Sequence, residues 1–167
     1  MHRLQEDRSD LSRSSLLMHL IRRFFGFLLA RPLTPNEQRL VRDALAPAPA
    51  RLFFAQRFED QRHAFIVFQR VGSSSDLAQA ALLHDIGKTD SNLGALGRSL
   101  ATVWDGLGRP TSGRWQSYLA HGSSGALMLK DLGADNLAIS FAQHHPGPCP
   151  EGIDSSSWCR LESADNE

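Results

Sequence analysis

Glycine and proline cut this chain into short stretches, and within each stretch the apolar residues recur at helical spacing rather than in strict alternation. The stretch 34-TPNEQRLVRDAL-45 carries helix-start chemistry: Thr34 can cap, Pro35 fits the first turn, and Glu37 stands three residues after the cap. The APAPA run at 46–50 breaks that helix and leads into the amphipathic stretch 51-RLFFAQRF-58. A further helix is expected over 60–72, closed by Gly72, and another over 76–87, with Asp76 as its cap and Gly87 as its stop. Helical patterns return at 118–133 and 135–145, the latter ended by Pro146-Gly147; 146–154 reads as a loop and 155–167 as a last short helix. Between them, Gly94, Gly97, Gly106, Gly108, Pro110 and Gly113 interrupt the periodicity of 88–114, where one short helix near 95–104 and then a mobile loop are expected. No stretch alternates convincingly and no internal repeat stands out, so the expected fold is all-α, a compact helical bundle.

At 167 residues the chain has room for one domain with a real core and a short appendage. Its formal net charge of zero gives no reason to expect nucleic acid or a strongly basic partner. Cys149 and Cys159 are the only cysteines, too few for a secreted disulfide scaffold, so a reducing cytoplasm is the expected compartment. Residues 1–14 are polar and Ser/Arg-rich and are expected to form a disordered tail. The apolar segment 16-LLMHLIRRFFGFLLA-30 carries Arg22 and Arg23 at its centre and is shorter than the roughly 20 residues that span a bilayer. It reads as an amphipathic helix packed on the domain, with a membrane-surface helix or an oligomer contact as the alternatives.

Of the seven histidines, His2 and His19 lie in the appendage. His63 stands early in its helix, His84-Asp85 ends the next, His121 opens a later one, and His144-His145 closes the one after. Short loops make consecutive helices antiparallel, so the start of one and the end of the next share a level of the bundle. His63 should therefore face His84, and His121 should face His144. Taken singly, each is ordinarily a hydrogen-bonded core or surface histidine. Taken together with Asp85, they point to a cation, because buried imidazoles without partners are costly and a metal uses their lone pairs.

The pieces RHAFIVF, ALLHDIGK, AHGSSGALMLKDLG, AQHHP and LESAD, in this order, resemble the HD superfamily of metal-dependent phosphohydrolases. The resemblance assigns 59–167 to an HD domain and leaves 15–58 as an N-terminal helical extension. It implies a first ion held by His63, His84, Asp85 and Asp165, with Asp85 bridging to a second held by His121, His144 and His145. Imidazoles suit transition ions better than Mg²⁺, so iron or manganese is expected first, with Zn, Co and Ni as further candidates. Such a pair of ions supports attack of metal-bound hydroxide on phosphorus with no covalent protein intermediate.

Lys88, three residues after Asp85, is a candidate to reach substrate phosphate, with a solvated surface lysine as the plainer reading. Arg98, Arg109 and Arg114 are further candidates to hold a phosphate. Glu59, one turn before His63, resembles an extra acidic ligand of some HD-GYP proteins. After His144-His145, however, the chain reads PGPCPEGID where an HD-GYP protein has a DGxGYP run, so a cyclic di-GMP phosphodiesterase is not expected. Small HD proteins that hydrolyse nucleotides or dinucleoside polyphosphates are the closer likeness, and the expected partner is a phosphorylated small molecule. Asp165 lies where helices fray, and metal binding is expected to order this tail. Competing readings are a diiron oxygenase on the same ligands and a non-catalytic, metal-stabilised regulatory domain. A separate zinc site from Cys149, Cys159 and His144 or His145 is a minor alternative, and the oligomeric state is left open.

Overall fold

Thr34 opens the first helix as its sequence suggests. Its Oγ1 accepts from the Glu37 backbone N–H, and its own N–H donates to Glu37 Oε2 at 2.7 Å, so two otherwise orphaned donors are satisfied. The computed structural model describes residues 30–72, 75–89, 112–113, 116 and 120–166. Its elements are α1 (Pro35–Ala44), α2 (Pro47–Ala55), α3 (Phe58–Val71), α4 (Ser75–Leu83), a 3-10 turn (Ile86–Thr89), α5 (His121–Asp131), α6 (Asn136–His144) and α7 (Ser155–Asn166). Every regular element among the described residues is helical, and the fold is an all-α bundle. Among them, no helix is long and apolar enough to cross a membrane. The tail 1–14, the apolar segment 16–29 and the helix expected at 95–104 lie outside the described residues.

Two expectations change. The APAPA run is not only a breaker: Pro47 and Pro49 stand in the first turn of α2, where backbone N–H groups have no helical partner to lose. Gly87 does not end a helix either. The helix stops at Leu83, His84-Asp85 form a turn, and Gly87 sits within the 3-10 turn that follows. By contrast, Gly72 does close α3, with φ +78°, a conformation that favours glycine.

Helix α4 is the centre of the bundle. Its sequence is apolar almost all round, and Leu77, Ala80, Ala81, Leu82 and Leu83 are all buried. It packs on α1, α2, α3, α6 and α7, while the 3-10 turn packs on α2 and α5. One continuous apolar core runs from Leu33, Val41 and Phe53 through Phe65 to Phe141, Trp158 and Leu161. It crosses the expected boundary at 58/59 without a break, so α1 and α2 are part of the same packed body.

The C-terminal helix is not frayed at Asp165. Arg70 Nη1 donates to Ala164 O at 2.9 Å, and Arg160 Nη2 donates to Val71 O at 2.8 Å. Each guanidinium satisfies a carbonyl near the end of the other helix, where intrahelical partners run out. This pair of ties holds α7 against α3.

Candidate metal centre

Five elements meet at one end of α4. Helix α3 supplies His63, the turn after α4 supplies His84 and Asp85, α5 begins at His121, His145 caps the end of α6, and α7 supplies Asp165. His84 and Asp85 are each 1% exposed. His84 Nδ1 lies 2.9 Å from Ala81 O; a carbonyl only accepts, so Nδ1 carries hydrogen and Nε2 is the ring's remaining site for a metal or a second proton.

Around His84 Nε2 the donors crowd. Asp85 Oδ2 is 3.4 Å away and Asp165 Oδ1 3.6 Å. His63 Nε2 lies 2.8 Å from Asp165 Oδ1 and 4.0 Å from Asp85 Oδ2. The expected facing of His63 and His84 is observed, with ring centroids 5.3 Å apart. Two groups of ligand-type atoms result, each within 4.8 Å: His63, His84 and Asp85, and His84, His145 and Asp165.

These buried groups could hold a metal ion. His84 Nε2, Asp85 Oδ1 and His145 Nδ1 are buried without a hydrogen bond. Such atoms are costly in a closed core unless something else satisfies them, and a cation among nitrogens and carboxylates does so. Burial holds His63 below the ordinary imidazole range, against the pull of Asp165. Burial also opposes charge on His84, but Asp85 and Asp165 outweigh it and the net displacement is upward. Burial would raise Asp85, yet Lys88, His84 and His121 hold it well below the carboxylate range. Asp165 is likewise lowered, with burial overcome by the His145 and His63 rings. Both acids are therefore anionic at neutral pH, as ligands must be.

The other expected residues divide. His121 Nε2 lies 3.7 Å from Asp85 Oδ1, on a partly exposed side chain. His144 is exposed and joins neither donor group, whereas His145 turns inward with Nε2 3.5 Å from Asp165 Oδ2. The second subsite expected from His121, His144 and His145 is thus not assembled: His145 serves Asp165 and His84 instead. Lys88 is not a solvated surface residue. It is 9% exposed, and its ammonium is paired with Asp85 Oδ2. Arg98, Arg109 and Arg114 lie outside the described residues. Glu59 is buried, with Oε1 accepting from Arg57 Nη2 at 2.9 Å, and belongs to neither donor group. Cys149 and Cys159 are free thiols, and neither enters a donor group, which removes support for the zinc alternative.

Three contributors escape motif reasoning. Phe141, four residues before His145 on α6, stacks on its ring at 4.8 Å and meets His84 edge-on at 6.0 Å. That i, i+4 spacing was the signal available in sequence. Trp158 packs on Phe141 at 5.1 Å and donates from Nε1 to Gly147 O at 3.2 Å, anchoring the loop just after His145. Gly125 on α5 lets the 3-10 turn come close; the facing Gly87 has no room for a side chain at all. No protein-family model, curated protein or solved structure matches the chain.

Proposed function

We propose that this chain is a metal-dependent phosphohydrolase of the HD type, hydrolysing a phosphoester or phosphoanhydride of a nucleotide or dinucleotide in a reducing cytoplasm. One observation carries the reading. His63, His84, Asp85 and Asp165 come from segments far apart in the chain, yet their donor atoms converge in a buried cluster rich in atoms without hydrogen bonds. A divalent ion held there would acidify water and neutralise charge on phosphoryl oxygens. Nitrogen and oxygen donors without sulfur suit iron or manganese, and Zn, Co or Ni as well.

The chain's own residues have separable tasks. Ala81 O fixes the His84 ring, so that Nε2 points at the carboxylates. Asp85 is the acceptor on which Lys88 and His121 both converge. Lys88 places a fixed positive charge beside the centre, suited to a substrate phosphate. His121, partly open to solvent and 3.7 Å from Asp85 Oδ1, is placed to meet a substrate at the centre. No cysteine lies among the donors, in keeping with attack by water rather than by a thiolate.

The test is a phosphate-release screen over nucleotides, dinucleotides and monoesters, using protein purified anaerobically and analysed for metal. Hydrolysis by the wild-type chain and a fall of about a hundredfold or more in Asp85→Ala are expected. Undiminished hydrolysis in that variant would remove this reading.

A further inference from the structure

The chain is neutral as a whole, but its charge is unevenly placed. Residues 1–58 hold ten arginines against five acids, and 59–167 hold eight basic residues against thirteen acids. The neutral total therefore hides a basic N-terminal part of +5 and a remainder of −5. No acid occurs from 11 to 36, where Arg13, Arg22, Arg23 and Arg31 stand among many apolar residues.

Helices α1 and α2 display this excess. Between them lies an open groove of about 730 Å³, lined by the exposed Arg42 and Arg51 and by Leu45, Pro47, Ala50 and Phe54. The Arg42 guanidinium lies 4.6 Å from the centre of the Phe54 ring, which holds it beside the groove. Among the described residues neither arginine is paired with a carboxylate. Glu37 is taken by Arg62, α2 contains no acid, and Asp43 alone on α1 remains to oppose Arg39 and Arg42.

We infer that α1 and α2, together with the segment 16–30, form a docking surface for a membrane of anionic phospholipid. Arg42 and Arg51 meet headgroup phosphates, and the apolar residues of 16–30 enter the interface. Eleven residues of that segment are apolar and two are arginines, which suits a chain lying in an interface with its charges reaching outward. A nucleic-acid surface tracks phosphates with basic groups and has little use for so many aliphatic side chains. The segment also joins the body beside the same helices. Arg62 donates to Arg31 O and Pro32 O, each at 2.9 Å, while its Nη1 holds Glu37 of α1. The groove lies at the far end of the ten-residue α1, about 15 Å away, a span that one patch of headgroups covers. This inference is independent of the metal-dependent reading.

The experiment sediments the full chain with phosphatidylcholine vesicles, with and without phosphatidylserine, at low and high salt. Binding only to the phosphatidylserine vesicles, weakened by salt, is expected. Each arginine near such a surface strengthens binding about fivefold, so Arg42→Gln combined with Arg51→Gln should weaken it at least about tenfold. Phe24→Ser combined with Phe25→Ser should weaken it by at least about tenfold as well. Lys130→Gln, at an exposed position on α5, should leave it within about twofold. Both groove arginines are exposed, so an unchanged urea midpoint should accompany their loss. Equal binding to both kinds of vesicle, or an arginine double variant that binds like wild type, would overturn the surface. So would the absence of any sedimentation, binding to a DNA duplex in place of vesicles, or release by inorganic phosphate at constant ionic strength.

Discussion

Gly87→Ala should be among the more damaging single-methyl changes in this protein. A Cβ built on Gly87 would lie 1.9 Å from His121 O, 2.6 Å from Gly125 N and 2.9 Å from His121 C. All three are backbone atoms, so no side-chain rotation relieves the clash. Restoring a tolerable 3.0 Å requires the 3-10 turn and the start of α5 to part by about 1.1 Å. Replacing glycine would otherwise stabilise by about 0.4–1 kcal/mol through the unfolded chain, because Gly87 does not have positive φ. Overpacking costs about 1–3 kcal/mol, occasionally more, so after that offset a net destabilisation of about 1–2 kcal/mol is expected. The same displacement moves His121 relative to Asp85, now 3.7 Å apart, so the proposed hydrolysis should suffer beyond the loss of stability. Gly125→Ala is the control. Its Cβ would meet Gly87 N at 3.1 Å and Ile86 Cγ2 at 3.2 Å, tight but adjustable, and α5 gains about 1 kcal/mol of helix propensity in return. Urea denaturation of both variants checks the argument. A Gly87→Ala protein as stable as wild type would refute the close approach on which this end of the site is built.

Acid should weaken the tie between α1 and α3. Arg62 binds Glu37 through two nitrogens, at 2.7 and 2.9 Å, and holds its pKa at about 2 against an ordinary 4.5. Because the folded value is depressed, the stabilisation is complete above about pH 4.5 and is lost as pH falls toward 2. Thermal melts across that window should show a shallower loss in Glu37→Gln; an identical slope would dismiss the pair. Trp158→Ala, at a 1% exposed site, should cost about 3–5 kcal/mol by chemical denaturation, and a cost below about 1 kcal/mol would contradict its anchoring of the His145 loop. Chelation should lower the melting temperature of metal-loaded protein. Conversely, ion at a hundredfold excess over its Kd should stabilise by about 2.7 kcal/mol, an effect absent from Asp85→Ala.

Much of the fold was legible because its causes are local. The Thr34–Glu37 capping box, the Gly72 stop and the Asp135 cap, whose Oδ1 accepts from Ala138 N at 2.7 Å, act within four residues of chain. Apolar density marked α4 as a buried helix for the same reason. The exit from α4 was not legible. Gly87 has the look of a helix stop, and only the proximity of α5 gives it its actual use, room for a backbone contact. The APAPA run does end the first helix, at Ala44, but it also opens α2, where Pro47 and Pro49 stand in the first turn and have no helical hydrogen bond to lose.

The same division runs through the candidate site. By itself the sequence determined which chemical groups exist, that His84 and Asp85 stand together at the exit of a buried apolar helix, and that imidazoles recur near helix ends. Only the tertiary structure decided which of them meet. Consecutive residues on a helix diverge by about 100°, so one of His144 and His145 at most could face the centre. The stacking of Phe141, itself braced by Trp158 from α7, selects His145 and leaves His144 to solvent. Lys88 became a buried partner of Asp85 rather than a surface charge through the contact of its turn with α2 and α5. Helix formation is settled by interactions a few residues apart; the choice among ligands depends on side chains from α3, α6 and α7 competing for one small volume, which no local pattern encodes.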